Sequence, residues 1–383
     1  MKNRLRRRVW VEIDLGALGR NYGRIAARVK PAGVLCVLKA NAYGLGVGDY
    51  ARALAATGCA GFGVAEPFEA LELKRALAKL GVAKDVQILS SVLPDEIPEM
   101  VRAGVTLPVV DVATARLISA AASRQRRTAK VHVKLDTGMG RLGLLAEDAP
   151  AAIREIAALP GLDLEGLFSH FPMAYDPEDP FTERQIAVFR KVLALAREDG
   201  VAFRKVHIAA SDAINNFPQC AKPPFTMVRT GINLHGSFDP NGRRALRVEP
   251  VLSLKTRVAQ VRDLPAGATL GYGRTWCLRS PTRIATISAG YADGLPLALT
   301  NRGHVLIGGA VCPVVGRISM DYATVDATNA PGVKPGDEVV CLGRSGRHSV
   351  TPDDWAGLKG THAYDIICSL GTRVERVALA PTC

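Results

Sequence analysis

The sequence predicts an α/β fold in two parts, a closed (β/α)8 barrel of the TIM type followed by a mainly antiparallel β domain. Three observations carry that prediction. Eight short apolar runs, at 34–39, 61–65, 86–90, 106–110, 130–136, 164–169, 205–211 and 227–233, alternate with helical patterns. Such alternation marks a parallel sheet covered by helices, and eight units over about 200 residues suit a closed barrel. After Gly242 the helical periodicity stops, and short β-rich runs separated by turn residues take over. Finally, 383 residues are more than one ordinary core holds.

Taken in order, residues 9–15 alternate apolar and polar side chains and read as a strand, and Asp14 caps a helix over 17–29 that Pro31 and Gly33 close. The barrel rhythm then sets in, with helices expected at 49–57, 67–80, 95–103, 113–126, 149–159 and 182–199 and a shorter one after Ser211. The second part offers strands at 251–263, 282–288, 304–307, 311–316, 319–326, 338–342 and 373–378. Turns such as Pro265-Ala266-Gly267, Gly308-Gly309 and Pro335-Gly336 punctuate them. The expected division is 1–242 for the barrel and 243–383 for the β domain, with strand 9–15 left open to pairing with the latter.

Composition narrows the function classes. Hydrophobic residues at 48% and charged residues at 22% belong to a soluble globular chain. The net charge is +13, yet outside Arg4, Arg6, Arg7, Arg8 and the cluster at 124–127 the basic residues are dispersed and lack interleaved aromatics. A solvated surface is expected, not a nucleic-acid groove. The basic start is followed by Glu12 and Asp14 where a secretory signal needs an apolar core, and no run approaches the ~18 apolar residues that span a bilayer. A cytoplasmic protein without membrane partners is expected. The eight cysteines are scattered, with no close pairs of the metal-binding kind, and read as reduced thiols with no metal site.

Chemistry gathers at the carboxyl ends of the barrel strands, where this fold builds its sites. Lys39 ends the first run, in Val37-Leu38-Lys39-Ala40-Asn41-Ala42-Tyr43-Gly44-Leu45-Gly46. An ammonium in that place suits an amine that forms a Schiff base with an aldehyde, although a lone lysine there also has the plain reading of a side chain reaching water. Lys134 and Asp136 end the fifth run, Ser169 and His170 the sixth and Ser211 the seventh, while Arg229 and Gly231 lie on the eighth. Ser211 at a helix start and the backbone of Thr230-Gly231-Ile232 suit an anionic phosphate, and Tyr43 could reach the same group. Lysine, phosphate cradle and barrel together suggest pyridoxal 5′-phosphate (PLP).

The lysine stretch resembles the PLP signature of the bacterial alanine racemases. The segments Lys134–Gly143, Leu167–Phe171, Met227–Ile232, Gly271–Gly273, Ala289–Gly294 and Gly316–Asp321 match that family in the same order, so the resemblance runs through nearly the whole chain. It implies a PLP-dependent isomerase that interconverts L- and D-alanine by two bases, Lys39 and Tyr272 of the partner subunit in a head-to-tail homodimer, supplying D-alanine for peptidoglycan. It further implies Arg229 facing the pyridine nitrogen with His170 beside it. Tyr43, Ser211, Gly231, Ile232 and Tyr364 would hold the phosphate. Arg141 and, through its backbone, Met320 of the partner subunit would bind the substrate carboxylate, with Lys134, which is carbamylated in many members, orienting Arg141. Tyr291, Arg317 and Asp321 would complete the partner's side of the entrance. One departure stands out: Leu297 occupies a place where many members carry an arginine on the substrate corridor. Rival readings are a racemase of broader amino-acid specificity and a non-catalytic PLP-binding protein, the latter needing neither the β domain nor Tyr272.

Overall fold

The structure, a computed structural model, describes residues 7–380. Arg4, Arg6 and Cys383, which entered the charge and cysteine readings, lie outside the described residues. The chain divides into two compact units: Leu18–Ala42 with Gly46–Val248, and the residues up to Ala17, Tyr43–Leu45 and those from Glu249 on.

After β1 (Trp10–Asp14), eight parallel strands build the first unit. They are β2 (Gly33–Val37), β3 (Gly61–Val64), β4 (Val86–Ile88), β5 (Leu107–Val109), β6 (Ala129–Asp136), β7 (Leu162–Phe168), β8 (Lys205–His207) and β9 (Met227–Thr230). One arc runs β9-β2-β3-β4 and the other β5-β6-β7-β8. A parallel bridge between Gln87 and Thr106 joins the arcs. The opposite seam closes where the N–H of Thr226 donates to Val206 O at 2.9 Å and that of Arg229 to Ala209 O at 3.0 Å. Each predicted strand is present; six are shorter than their apolar runs, which continue into the loops that carry the polar residues, while β6 and β7 begin one and two residues earlier than expected.

The helices stand between the strands as predicted, with local stop and start signals in place. In Pro67–Lys79, proline occupies the first turn and Glu66 and Glu69 form a capping box. Asp111 caps Val112–Arg124 by accepting from the Thr114 N–H at 2.6 Å. No described helix is long and apolar enough to cross a membrane.

The second unit centres on the strand Leu252–Leu264, whose alternating burial fits a sheet with one covered face. It pairs antiparallel with β1, with Thr282–Ile287 and with Glu338–Ser345, and β1 pairs in parallel with Glu375–Leu379. Helical structure does not stop after Gly242, contrary to the sequence reading: Pro352–Lys359 and Ala363–Cys368 are α-helices. At eight and six residues they are too short to show a clear apolar period. Their signal lies in the caps, with Thr351 and Asp354 forming a capping box and Gly360 closing the first helix at φ 74°. The seven described cysteines are free thiols, Cys277 and Cys368 being exposed and the rest buried.

Candidate active site

Lys39 emerges just past β2 and is exposed. The four residues that follow, Ala40, Asn41, Ala42 and Tyr43, have φ of 52°, 54°, 54° and 59°, a left-handed turn made without glycine. Left-handed backbone costs roughly 1–2 kcal/mol per residue with a β-carbon. Local hydrogen bonds offset it: Ala42 N–H donates to Leu38 O at 2.9 Å, Gly46 N–H to Asn41 O at 3.0 Å, and Val47 N–H to Asn41 Oδ1 at 2.7 Å. The Ala40 N–H is held by the Glu69 carboxylate. Tyr43, at the end of the turn, is buried, and burial pushes its phenol pKa up. Its ring lies 6.0 Å from that of Tyr364.

The carboxyl end of β6 carries the next group. Lys134 is buried, donates from Nζ to Leu89 O at 3.0 Å and sits 5.2 Å from the centre of the Phe168 ring. Burial first, then the cations Arg229 and Arg141, pull its amine down to about 8. Asp136 gathers the following loop: its carboxylate accepts from the N–H groups of Gly138 at 2.8 Å, Gly140 at 3.1 Å and Arg141 at 2.9 Å. Arg141 is thereby anchored through its own backbone. The loop returns over β6 at Gly143, where φ is +123° and a β-carbon would meet backbone atoms of Lys134, Leu135 and Asp136 at 2.8 Å.

Arg229 is the centre of the barrel mouth. Its guanidinium is buried and is surrounded by neutral acceptors. One terminal nitrogen donates to His207 Nδ1 at 2.8 Å and the other to Ser169 O at 2.8 Å, Ile208 O at 3.0 Å and His170 Nδ1 at 3.2 Å. Burial pulls Arg229 down to about 9, so it remains a cation at neutral pH. Burial and the charge of Arg229 hold His170 and His207 well below the usual histidine range, hence neutral. The Nε–H of Arg229 has no acceptor among the described residues, which leaves one charged donor available to a ligand.

Behind Arg229 the polar chain continues into the barrel. His207 Nε2 lies 3.0 Å from His132 Nδ1, and His132 Nε2 lies 3.1 Å from the Glu165 carboxylate. Glu165 in turn meets Lys205 at 3.3 Å, Arg204 at 3.8 Å and Lys130 at 3.9 Å. Burial alone would raise the Glu165 carboxyl, but His132 and Lys205 outweigh it and hold it down to about 2. Sequence reasoning passed over His132, Glu165 and His207. The available signal was the parity of β6, which puts His132 on the same face as Lys134.

Beside Arg229, Ser211 is buried at the start of Ser211–Asn216 and its Oγ accepts from the Gly231 N–H at 3.1 Å. Gly231 precedes the short turn Ile232–His235. The first unit thus assembles Lys39, Lys134, Arg141, His170, Ser211, Arg229, Gly231 and Ile232 at the carboxyl ends of its strands. An exposed amine, a buried cation with a spare N–H, and a hydroxyl and backbone cradle fit an anionic aromatic aldehyde.

The β unit carries the remaining predicted residues. Tyr272 stands between Gly271 at φ 71° and Gly273 at φ 74° and is 73% exposed. A parallel bridge joins Gly271 to Arg317. Tyr291, Met320 and Leu297 are exposed as well, and Asp321 is half exposed, ion-paired with Arg373 at 2.7 Å. Arg373 also binds the buried Asp293 at 2.8 and 2.9 Å, which raises its own pKa further. This double pairing, absent from the sequence reading, ties the loop of Met320 and Asp321 to that of Tyr291: the N–H groups of Tyr291 and Ala292 donate to Ser319 O and Met320 O, both at 3.1 Å.

Comparison with known proteins gives matches over nearly the whole chain. The alanine racemase N-terminal domain matches residues 13–239, and the alanine racemase C-terminal domain matches residues 251–378. An alanine racemase of Syntrophobacter fumaroxidans is 40% identical over 364 residues, covering 94% of this chain and 95% of the relative. One from Cutibacterium acnes is 39% identical, covering 95% and 96%. Among solved structures, the alanine racemase of Streptomyces lavendulae superposes with a TM-score of 0.90 at 35% identity, covering 98% of each chain. That of Bartonella henselae, with covalently bound pyridoxal phosphate, gives a TM-score of 0.87 at 30% identity, covering 98% of this chain and 100% of its own.

Two outcomes are expected from the geometry. Gly143→Ala forces a β-carbon onto β6 at positive φ and is expected to cost about 2 kcal/mol or more in urea unfolding. For Glu165, the folded carboxyl at about 2 lies below its unfolded value of 4.5. The stability it contributes is therefore present above pH 4.5 and lost as pH falls towards 2. Urea midpoints measured from pH 7 to pH 3 are expected to fall less steeply for Glu165→Gln than for the wild type, by roughly one carboxylate's linkage.

Proposed function

The chain belongs to the alanine racemase family, and we propose on that premise that it interconverts L- and D-alanine with PLP held on Lys39. The observation that carries the reading is Arg229: a buried cation with a free Nε–H beside an exposed lysine. An arginine donates to a ring nitrogen without surrendering its proton, so the ring keeps a moderated electron demand. That suits proton exchange at Cα over reactions that need a stronger electron sink.

When bound, PLP supplies the electron withdrawal that acidifies the Cα–H of the amino acid. The protein moves the proton. Lys39 removes or returns it on one face, and Tyr272 of the partner subunit serves the other. A free tyrosine has a pKa of ~10, so that phenol needs a cationic setting to act as a base, and the charges around His170 suit the need. Racemisation requires both faces, which accounts for two bases of different kind. Ser211, Gly231, Ile232, Tyr43 and Tyr364 would hold the phosphate; Arg141 and the backbone of Met320 of the partner subunit would orient the substrate carboxylate. Lys134, with its amine held down to about 8, is partly neutral near physiological pH and able to take up carbon dioxide as a carbamate, releasing a proton. The resulting anion would balance the cations Arg141 and Arg229. Tyr291, Arg317 and Asp321 would frame the partner's side of the entrance. A homodimer with shared sites, a cytoplasmic location and delivery of D-alanine to peptidoglycan follow from the family reading.

The exposed Leu297 favours a second reading, broader specificity, because the corridor lacks its usual cation. Chiral analysis of alanine, serine, lysine and arginine in deuterated water distinguishes the readings. Rapid D-alanine formation with deuterium at Cα, and little from the others, is expected. Comparable turnover of lysine and arginine would instead establish the broad racemase, and no exchange with PLP bound would leave a cofactor-binding protein. Tyr272→Phe is expected to lower racemisation by about 10²–10⁴. In that variant Cα deuterium exchange should persist for one enantiomer, the one whose proton faces Lys39. Equal loss of exchange for both would count against the two-base assignment.

A further inference from the structure

The polar chain behind Arg229 can run in only one direction. A guanidinium only donates, so His207 Nδ1, 2.8 Å away, must accept. A neutral imidazole whose Nδ1 accepts carries its proton on Nε2, and His207 Nε2 faces His132 Nδ1 at 3.0 Å. His132 Nδ1 then accepts in turn, its proton lies on Nε2, and that N–H meets the Glu165 carboxylate at 3.1 Å. The opposite polarity would set an imidazole N–H against a guanidinium N–H.

The surroundings are built for this arrangement. Glu165 is the extra residue of a β-bulge, since Val131 pairs with Leu164 and His132 with Gly166. Bulges re-aim side chains. A β-carbon on Gly166 would fall 2.6 Å from the His132 ring, so glycine there makes room for the imidazole. Phe168 stacks on His207 at 5.1 Å with the planes 12° apart. Lys130, Arg204 and Lys205, together with the His132 N–H, keep the far carboxylate ionised.

We propose that Glu165 is a positioning residue for Arg229: through His132 and His207 it terminates a one-way hydrogen-bond chain that keeps an acceptor turned towards the guanidinium. Without an acceptor at position 165, His132 is free to exchange tautomers, His207 follows, and Arg229 loses one of its two neutral partners at 2.8 Å. The inference deepens the proposed function of Arg229 and rests on it only for the effect on the cofactor.

The test is nitrogen NMR of the PLP-loaded protein with labelled histidine. Both His132 and His207 are expected to show an unprotonated Nδ1 and a protonated Nε2 from pH 6 to pH 9. A protonated His207 Nδ1 would overturn the proposal in the wild type alone, whatever the variants do. In Glu165→Leu, His207 is expected to show mixed tautomers, and the PLP dissociation constant to rise roughly tenfold, the scale of lost outer-shell support. Glu165→Gln keeps an acceptor oxygen and should recover both signals. An unchanged His207 spectrum and unchanged PLP affinity in the leucine variant would reject the role. None of these readouts requires racemisation, so an inactive protein with the expected tautomers would count against the function and not against the chain.

Discussion

A guanidinium enclosed in a barrel must find inside the protein what water would have given it, and much of the first unit's mouth is arranged around that demand. Arg229 is met by backbone carbonyls from the ends of β7 and β8 and by two histidines that burial, and then the adjacent cation, keep neutral. Burying a charge without such partners costs several kcal/mol. The solution uses acceptors without a carboxylate in direct contact, so the positive charge is solvated but not cancelled. Lys39, Lys134 and Arg141 add to it, and all of them act electrostatically on His170. A mouth of that sign selects ligands carrying phosphate or carboxylate before any specific contact is made.

The β unit solves a different problem. Tyr272, Tyr291 and Met320 are exposed on short loops, and loops hold position poorly unless tied down. Arg373 ties those of Tyr291 and Met320, reaching Asp293 and Asp321 together, the Gly271–Arg317 bridge holds that of Tyr272, and Gly271 and Gly290 permit backbone contact that any side chain would block. Cross-braced loops of this kind give a surface phenol a defined direction at little cost in packing.

How much was legible follows from what kind of force sets each feature. Barrel strands and helices are written in apolar period and cap residues, which are local, so β2 to β9 and their helices could be read directly. The sites at the strand ends were legible because a lysine or arginine beside an apolar run is conspicuous. What stayed hidden depends on contacts across the fold. Glu165 looks like a solvent-facing residue of β7 until the bulge is known, and His132 is one of four alternating polar letters in β6. Arg373 lies 52 positions from Asp321 and 80 from Asp293 in the chain, and no periodicity links them. The two short helices near the carboxyl end were lost to length, although Thr351 and Asp354 announced one of them.

The turn at Ala40–Tyr43 shows this dependence most sharply. Four residues with β-carbons hold a handedness that their own chemistry disfavours, and the hydrogen bonds that keep it reach to Glu69, Leu38 and Val47. Local sequence there does not encode local shape. A synthetic peptide carrying the same letters would relax to ordinary backbone, and its lysine would behave as any lysine does. The presentation of this amine is thus a property of the assembled fold and cannot be transplanted as a motif.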